Sequence, residues 1–130
     1  MNKRIKLIPI NLIKPHEKTS AARLKFVLAD IKTRKIIINP VVADRATYTL
    51  LDGHHRLAAL KKIKTKKIPV YLVDYQKIKV ILRRKKFISP QIKHEIIARS
   101  FFGKLFPVKT TKHLVKNRPH HINIKLCDLA

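Results

Sequence analysis

The segment Leu50-Leu51-Asp52-Gly53-His54-His55-Arg56-Leu57-Ala58-Ala59-Leu60 places a carboxylate, a glycine, two imidazoles and a guanidinium at one corner. A β-prone run ends there, Gly53 permits a tight turn, and helical spacing begins. The first N–H groups of a helix lack intrahelical partners and lie at the positive end of its dipole, so such a corner can bind phosphate. His54, His55 and Arg56 would add side-chain hydrogen bonds, and an arginine can grip phosphate with two of them. Two other readings fit the same residues. A histidine pair suggests a metal, but neighbours on a helix point about 100° apart and chelate poorly, unlike pairs at i,i+4. The residues also fit a plain helix start with a solvated polar face.

The chain has only seven carboxylates, so each can be weighed. Asp30 and Glu95 fall on predicted helices, Asp44 in a turn, Asp74 at a strand end and Asp128 in the tail, all with ordinary structural roles. Glu17 and Asp52 differ in setting. Glu17 follows His16 in a loop before a helix, and Asp52 stands at the strand-to-helix corner. Taken singly, each is most simply a cap or turn former.

These residues need elements to hold them. Arg4–Ile10 alternates and is β-prone, which predicts a first strand. Asn11–Lys18 reads as a loop, and Thr19 or Ser20 can cap a helix over Ala21–Arg34. Val41–Ala43 and Thr47–Leu51 predict a hairpin around Asp44-Arg45-Ala46, and Leu57, Ala58, Leu60 and Ile63 a short helix. Ile68–Val73 and Lys79–Leu82 predict further strands. Ser89-Pro90 marks a helix start and Gly103 its stop. The remaining tail shows one short strand candidate, His121–Ile124. These elements predict one α+β domain over residues 1–130, a small mixed sheet with flanking helices. Its core covers about 1–88, and a helix with a substrate-binding tail covers about 89–130.

The composition constrains the partner without choosing it. The 130 residues carry 31 Lys+Arg against 7 Asp+Glu, a formal charge of +24, with 45% hydrophobic residues. That apolar share supports a folded core rather than a basic disordered tail. Cys127 is the single cysteine, which excludes an intramolecular disulfide and a four-cysteine zinc site. No apolar stretch approaches a bilayer span and no secretory signal pattern opens the chain, so a cytoplasmic location is expected, with no membrane partner. The charge suits ATP, a polynucleotide or an anionic surface alike. The basic runs Lys61–Lys67 and Arg83–Lys86 read as solvated faces.

Asp52-Gly53-His54-His55-Arg56, with the hairpin before it and the helix after it, resembles the signature of the ParB/sulfiredoxin-like superfamily. The strand, loop and helix at residues 4–34 and Asn39-Pro40-Val41-Val42 belong to the same resemblance, which implies that fold and a nucleotide held at the turn. Sulfiredoxins place a reactive cysteine where this chain has His54, and sulfinic acid reduction then has no nucleophile. ParB partition proteins carry Gly-Glu-Arg-Arg in the turn and continue into a helix-turn-helix, for which the second helix is missing from the sequence pattern after residue 88.

The free-serine kinases resemble the chain at both ends, in Pro15-His16-Glu17 and in Gly103-Lys104-Leu105-Phe106-Pro107-Val108-Lys109-Thr110-Thr111-Lys112-His113, with Arg118-Pro119 following. This resemblance implies phosphoryl transfer from ATP or ADP, ATP being the expected donor, to free L-serine. The product, O-phospho-L-serine, would serve cysteine or related amino-acid metabolism. Glu17 would then be the base and Asp52 a second catalytic group that holds Mg²⁺ or orients the substrate amine. Asn39, Gly53, His54, His55 and Arg56 would bind the nucleotide, and Lys109, Thr110, Thr111 and His113 the serine carboxylate or the transferred phosphate. The alternative is a non-catalytic ParB-like module that binds nucleotide and DNA, the basic surface leaving a nucleic acid possible but not favoured.

Overall fold

The computed structural model describes residues 3–84, 86 and 89–130; Lys85 of the second basic run lies outside them. Strand β1 (Ile5–Pro9) buries Ile5 and Ile8. Helix α1 (Ala21–Arg34) begins at Ser20, whose Oγ accepts the Arg23 N–H at 3.2 Å. It ends at Lys35 in the left-handed region, φ 59°, with Lys32 and Arg34 in its last turn, where cations suit the helix dipole. Then come β2 (Ile36–Ile37), β3 (Val41–Asp44), β4 (Leu50–Asp52), α2 (His54–Ile63), β5 (Lys67–Val73) and β6 (Lys79–Leu82). Helix α3 (Ile92–Phe102), β7 (Thr111–Leu114) and β8 (Ile124–Lys125) complete the order.

The main sheet has the order β1-β5-β3-β4, with β3 and β5 parallel and the outer pairs antiparallel. Successive side chains of a strand point to opposite faces, so a strand covered on both sides is apolar throughout. β3 is buried at every residue for that reason. Val41 and Ala43 join a core with Leu57, Leu60 and Ile31 beneath α1 and α2. Val42 joins a second core with Leu51, Val73, Ile96 and Phe106 beneath α3. The expected mixed sheet with flanking helices is present, and residues beyond 88 complete its second core.

Three boundaries and one unanticipated strand, β7, depart from the sequence pattern. β4 starts at Leu50 rather than Thr47, because Tyr48 is left-handed (φ 61°) and Thr47 Oγ1 donates to Asp44 Oδ2 at 2.7 Å to close the turn. α3 starts at Ile92, because Ser89 spends its Oγ on the Gln91 N–H in a preceding turn. Gly103 does end that helix, at φ 69°. The last strand is Ile124–Lys125, paired with β2, since His121 and Asn123 have positive φ and cannot extend. β7 was not anticipated; it pairs antiparallel with β6 and buries Thr111 and His113 where apolar residues would normally mark a strand. After Ser89 the described residues hold one α-helix and two strands, so a pair of packed helices is not among them.

Gly53 joins β4 to α2 at φ 104°. A Cβ there would stand 2.6 Å from Val41 Cγ1, a core atom that cannot yield. Gly103 meets nothing within 4 Å. Gly53→Ala should therefore cost about 2–4 kcal/mol in urea unfolding, against about 1 kcal/mol for Gly103→Ala.

Candidate active site

An open cleft of about 1150 Å³ lies between the loop before α1, the Asp52–Arg56 corner and the tail. Glu17 is fixed on its wall by the tail. The Lys109 N–H donates to Oε1 at 2.9 Å, and the Thr111 N–H and Oγ1 donate to Oε2 at 3.0 and 2.6 Å. The backbone is clamped as well: Phe106 N–H donates to the His16 carbonyl and Lys18 N–H to the Phe106 carbonyl, both at 2.8 Å. A loop carboxylate thereby acquires a defined orientation.

The corner holds the same loop from the other side. His54 Nε2 accepts the N–H groups of His16 and Glu17 at 3.1 and 3.2 Å, and His55 Nε2 accepts that of Ser20 at 3.0 Å. Both Nε2 atoms are thus acceptors, with any ring proton on Nδ1. Arg56 donates to the carbonyls of Asn39 and Pro40 at 3.1 and 2.8 Å and to Asp52 Oδ2 at 3.3 Å. All three line the cleft, and the hydrogen bonds they make within the fold go to the loop, to the segment before β3 and to Asp52. The first turn of α2 carries no side-chain cap, so its backbone groups stay open to the cleft.

The remaining expected residues divide. Asn39, Asp52, Gly53, Lys109, Thr111 and His113 all line the cleft. Thr110 does not: it is fully buried, and its Oγ1 donates to the Pro107 carbonyl at 2.6 Å. Asn39 Oδ1 accepts the His121 N–H at 3.0 Å, tying tail to corner. Arg118 was missed as a site residue. It lines the cleft and donates to Asp52 Oδ2 at 2.5 Å. An arginine directly before a proline in a lysine-rich tail was the available signal, because the planar guanidinium suits carboxylate and phosphate partners.

Burial would raise the Asp52 pKa, but the Arg118 hydrogen bond and the nearby charges of Arg56 and Arg118 outweigh it and hold the carboxylate below its ordinary value. Three histidine rings stack edge to face behind it. His16 lies 4.6 Å from His54 and 5.7 Å from His113, centre to centre. Burial, only partly offset by the Leu50 carbonyl, lowers the His16 pKa to about 4. Burial and the charge of His16 lower that of His113 to about 3. His54 is depressed further, by burial first and its histidine neighbours second. His113 Nε2 meets the Tyr75 hydroxyl at 2.8 Å, and its Nδ1 points inward toward Leu51 without a well-formed hydrogen bond.

A histidine whose folded pKa is depressed binds its proton more readily in the unfolded chain. Its contribution to stability is therefore full above pH 6.5 and declines as pH falls toward the folded value. Between pH 6.5 and 4, unfolding free energy should fall by up to about 1.4 kcal/mol per pH unit for each of the buried His16 and His113. Asp52 acts only below its ordinary value near 3.8, outside this window. Urea titrations at pH 7, 6 and 5 measure the slope, and a flat profile would contradict the neutral cluster.

The chain is similar to known proteins in sequence and in fold. The ParB N-terminal domain family matches residues 1–84. An ATP-dependent L-serine kinase of Staphylothermus marinus is 33% identical over 73 residues, 53% of this chain and 29% of that protein. An ADP-dependent L-serine kinase of Thermococcus kodakarensis is 29% identical over 72 residues, 52% of this chain and 30% of that protein. The aligned stretch thus spans less than a third of these relatives. A solved structure described as a free serine kinase in complex with AMP covers 98% of this chain and 94% of its own, with a TM-score of 0.85 at 17% identity, a likeness of fold. Among the described residues no helix is long and apolar enough to cross a membrane. With the family match covering well over half of its length, the chain belongs to the ParB N-terminal domain family.

Proposed function

We propose that the chain transfers a phosphoryl group from ATP or ADP to the hydroxyl of free L-serine, giving O-phospho-L-serine. The observation that carries this reading is the fixed Glu17 carboxylate, held by Lys109 and Thr111 on the wall of a cleft whose other wall is an uncapped helix start. The named serine kinases among its relatives support the same chemistry.

In such a reaction Glu17 takes the proton of the serine hydroxyl as the oxygen attacks the terminal phosphorus, and cations stabilise charge on the transferred group. The backbone at Gly53–His55 receives phosphate oxygens, with His54, His55 and Arg56 holding that backbone in place. Phe26, Val27 and Ile31 give the cleft apolar lining, with Asn39 also on its wall, suited to an adenine ring. Lys109 and Arg118 line the cleft as cations for the serine carboxylate or the phosphate leaving with product, while Thr111 spends both its donors on Glu17. His113, two residues further along β7, keeps its Nε2 on the Tyr75 hydroxyl.

A Mg²⁺ ion arriving with the nucleotide would neutralise phosphate charge, and such ions need only one or two protein carboxylates. Asp52 fits that demand through Oδ1, because Arg118 and Arg56 occupy Oδ2. The reading is of a Mg²⁺-dependent cytoplasmic enzyme of amino-acid metabolism, cysteine synthesis included.

Incubation with serine and either ATP or ADP, followed by mass spectrometry of phosphoserine, tests it. Product with at least one donor is expected, and none with either overturns the reading. Glu17→Gln should reduce turnover about 10²–10⁴-fold while nucleotide affinity changes less than about twofold. Full activity in that variant would remove Glu17 as the base.

A further inference from the structure

The Thr111 hydroxyl has one proton and two acceptors. Its Oγ1 lies 2.6 Å from Glu17 Oε2 and 3.0 Å from His16 Nε2. His16 Nδ1 stands 2.7 Å from the Leu50 carbonyl oxygen, which can only accept, so Nδ1 carries the ring proton and Nε2 presents a lone pair. While Glu17 is charged, the hydroxyl can serve only one neighbour and turns a lone pair toward the other. His16 is fully buried, away from any solvent that would make up the deficit. The three groups are one proton short.

We propose that Glu17, Thr111 and His16 take up a proton as a single unit, with His16 a second base behind Glu17. One added proton satisfies all three groups in either of two arrangements. In the first, Glu17 Oε2–H donates to Oγ1 and the Thr111 hydroxyl donates to His16 Nε2. In the second, His16 Nε2–H donates to Oγ1 and the hydroxyl donates to the charged Oε2. Passing between them moves one proton from Oε2 to Oγ1 and one from Oγ1 to Nε2, converting acid and imidazole into carboxylate and imidazolium. The inference rests on Glu17 being the base of the proposed reaction. The proton leaving the serine hydroxyl is then held by the triad, and the oxygen keeps the bonding pair for its attack. His16 acts through Thr111 and Glu17, so it is a positioning residue.

The surroundings leave these groups to share the proton among themselves. His54, edge-on to His16, uses Nε2 as an acceptor for the loop and is depressed well below its ordinary pKa. His113 gives its Nε2 to Tyr75 and sits near 3. On the cleft side Glu17 faces His55 and Lys109, the latter through its backbone N–H. Burial brings His16 down to about 4.

Glutamate occurs only at positions 17 and 95, so carboxyl-¹³C glutamate gives two signals, assigned with Glu95→Gln. Together with ¹⁵N-histidine, these report both ends of the triad without any turnover. In the native chain the Glu17 carboxyl and His16 imidazole signals should share one pH midpoint. Thr111→Val should part the two midpoints and Thr111→Ser should rejoin them. At pH 7, Glu17→Gln, which imitates the protonated acid, should free the Thr111 hydroxyl to donate to His16 and move its Nε2 signal upfield. That move should vanish in Glu17→Gln/Thr111→Val, and this arm decides where acid unfolds the chain first. Native midpoints a full unit apart, a shared midpoint that survives Thr111→Val, or an unmoved Nε2 signal in Glu17→Gln would overturn the proposal. A failed serine assay beside coincident midpoints would discard the enzyme reading and leave the triad standing.

Discussion

A carboxylate held at a protein wall needs donors, and Glu17 finds its donors 92 and 94 residues away along the chain. The rest of the site depends on that long-range exchange. It fixes the loop, brings β7 beside the corner and closes the cleft. The closure of so long a loop costs entropy, and it is sustained by burial of Phe106 and Ile96 in the second core rather than by the polar contacts alone. The hydrogen bonds choose the register, and the apolar burial supplies most of the driving force.

The corner and the loop meet through acceptors on side chains and donors on backbone. That polarity has a chemical meaning, because an imidazole accepts through a nitrogen only while that nitrogen is unprotonated. Neutral His54 and His55 are therefore part of the architecture. Burial first, and then their setting among the other histidines (His54) and Arg23 and Lys109 (His55), favours the neutral form. A basic surface draws anions inward, while burial and neighbouring cations keep the struts of the site uncharged.

Much of this was legible from the residues. Helix α1 follows from its apolar spacing and the Ser20 cap, and the corner from Asp52-Gly53 before a helical run. Glu17 and Asp52 stood out because acids are scarce. The directions of side chains were not legible. His54, His55 and Arg56 look like phosphate donors in a linear reading, yet each turns toward a backbone group that only the folded chain brings near. Strand β7 escaped notice because its buried positions are Thr111 and His113, polar residues whose partners lie far away in sequence. Arg118 escaped for a related reason, since its carboxylate partner is 66 residues distant.

The family match ends at residue 84, whereas among the described residues the donors to the Glu17 carboxylate come from 109 and 111. The parallel bridge between Glu17 and Phe106 is the seam where the two parts join. A scaffold shared with the ParB N-terminal domain family thus presents the acid, and a separate segment decides how that acid is oriented. Divergence of chemistry within such a fold can proceed by exchanging the segment that docks along this seam, leaving the scaffold's core and its Asp52–Arg56 corner untouched.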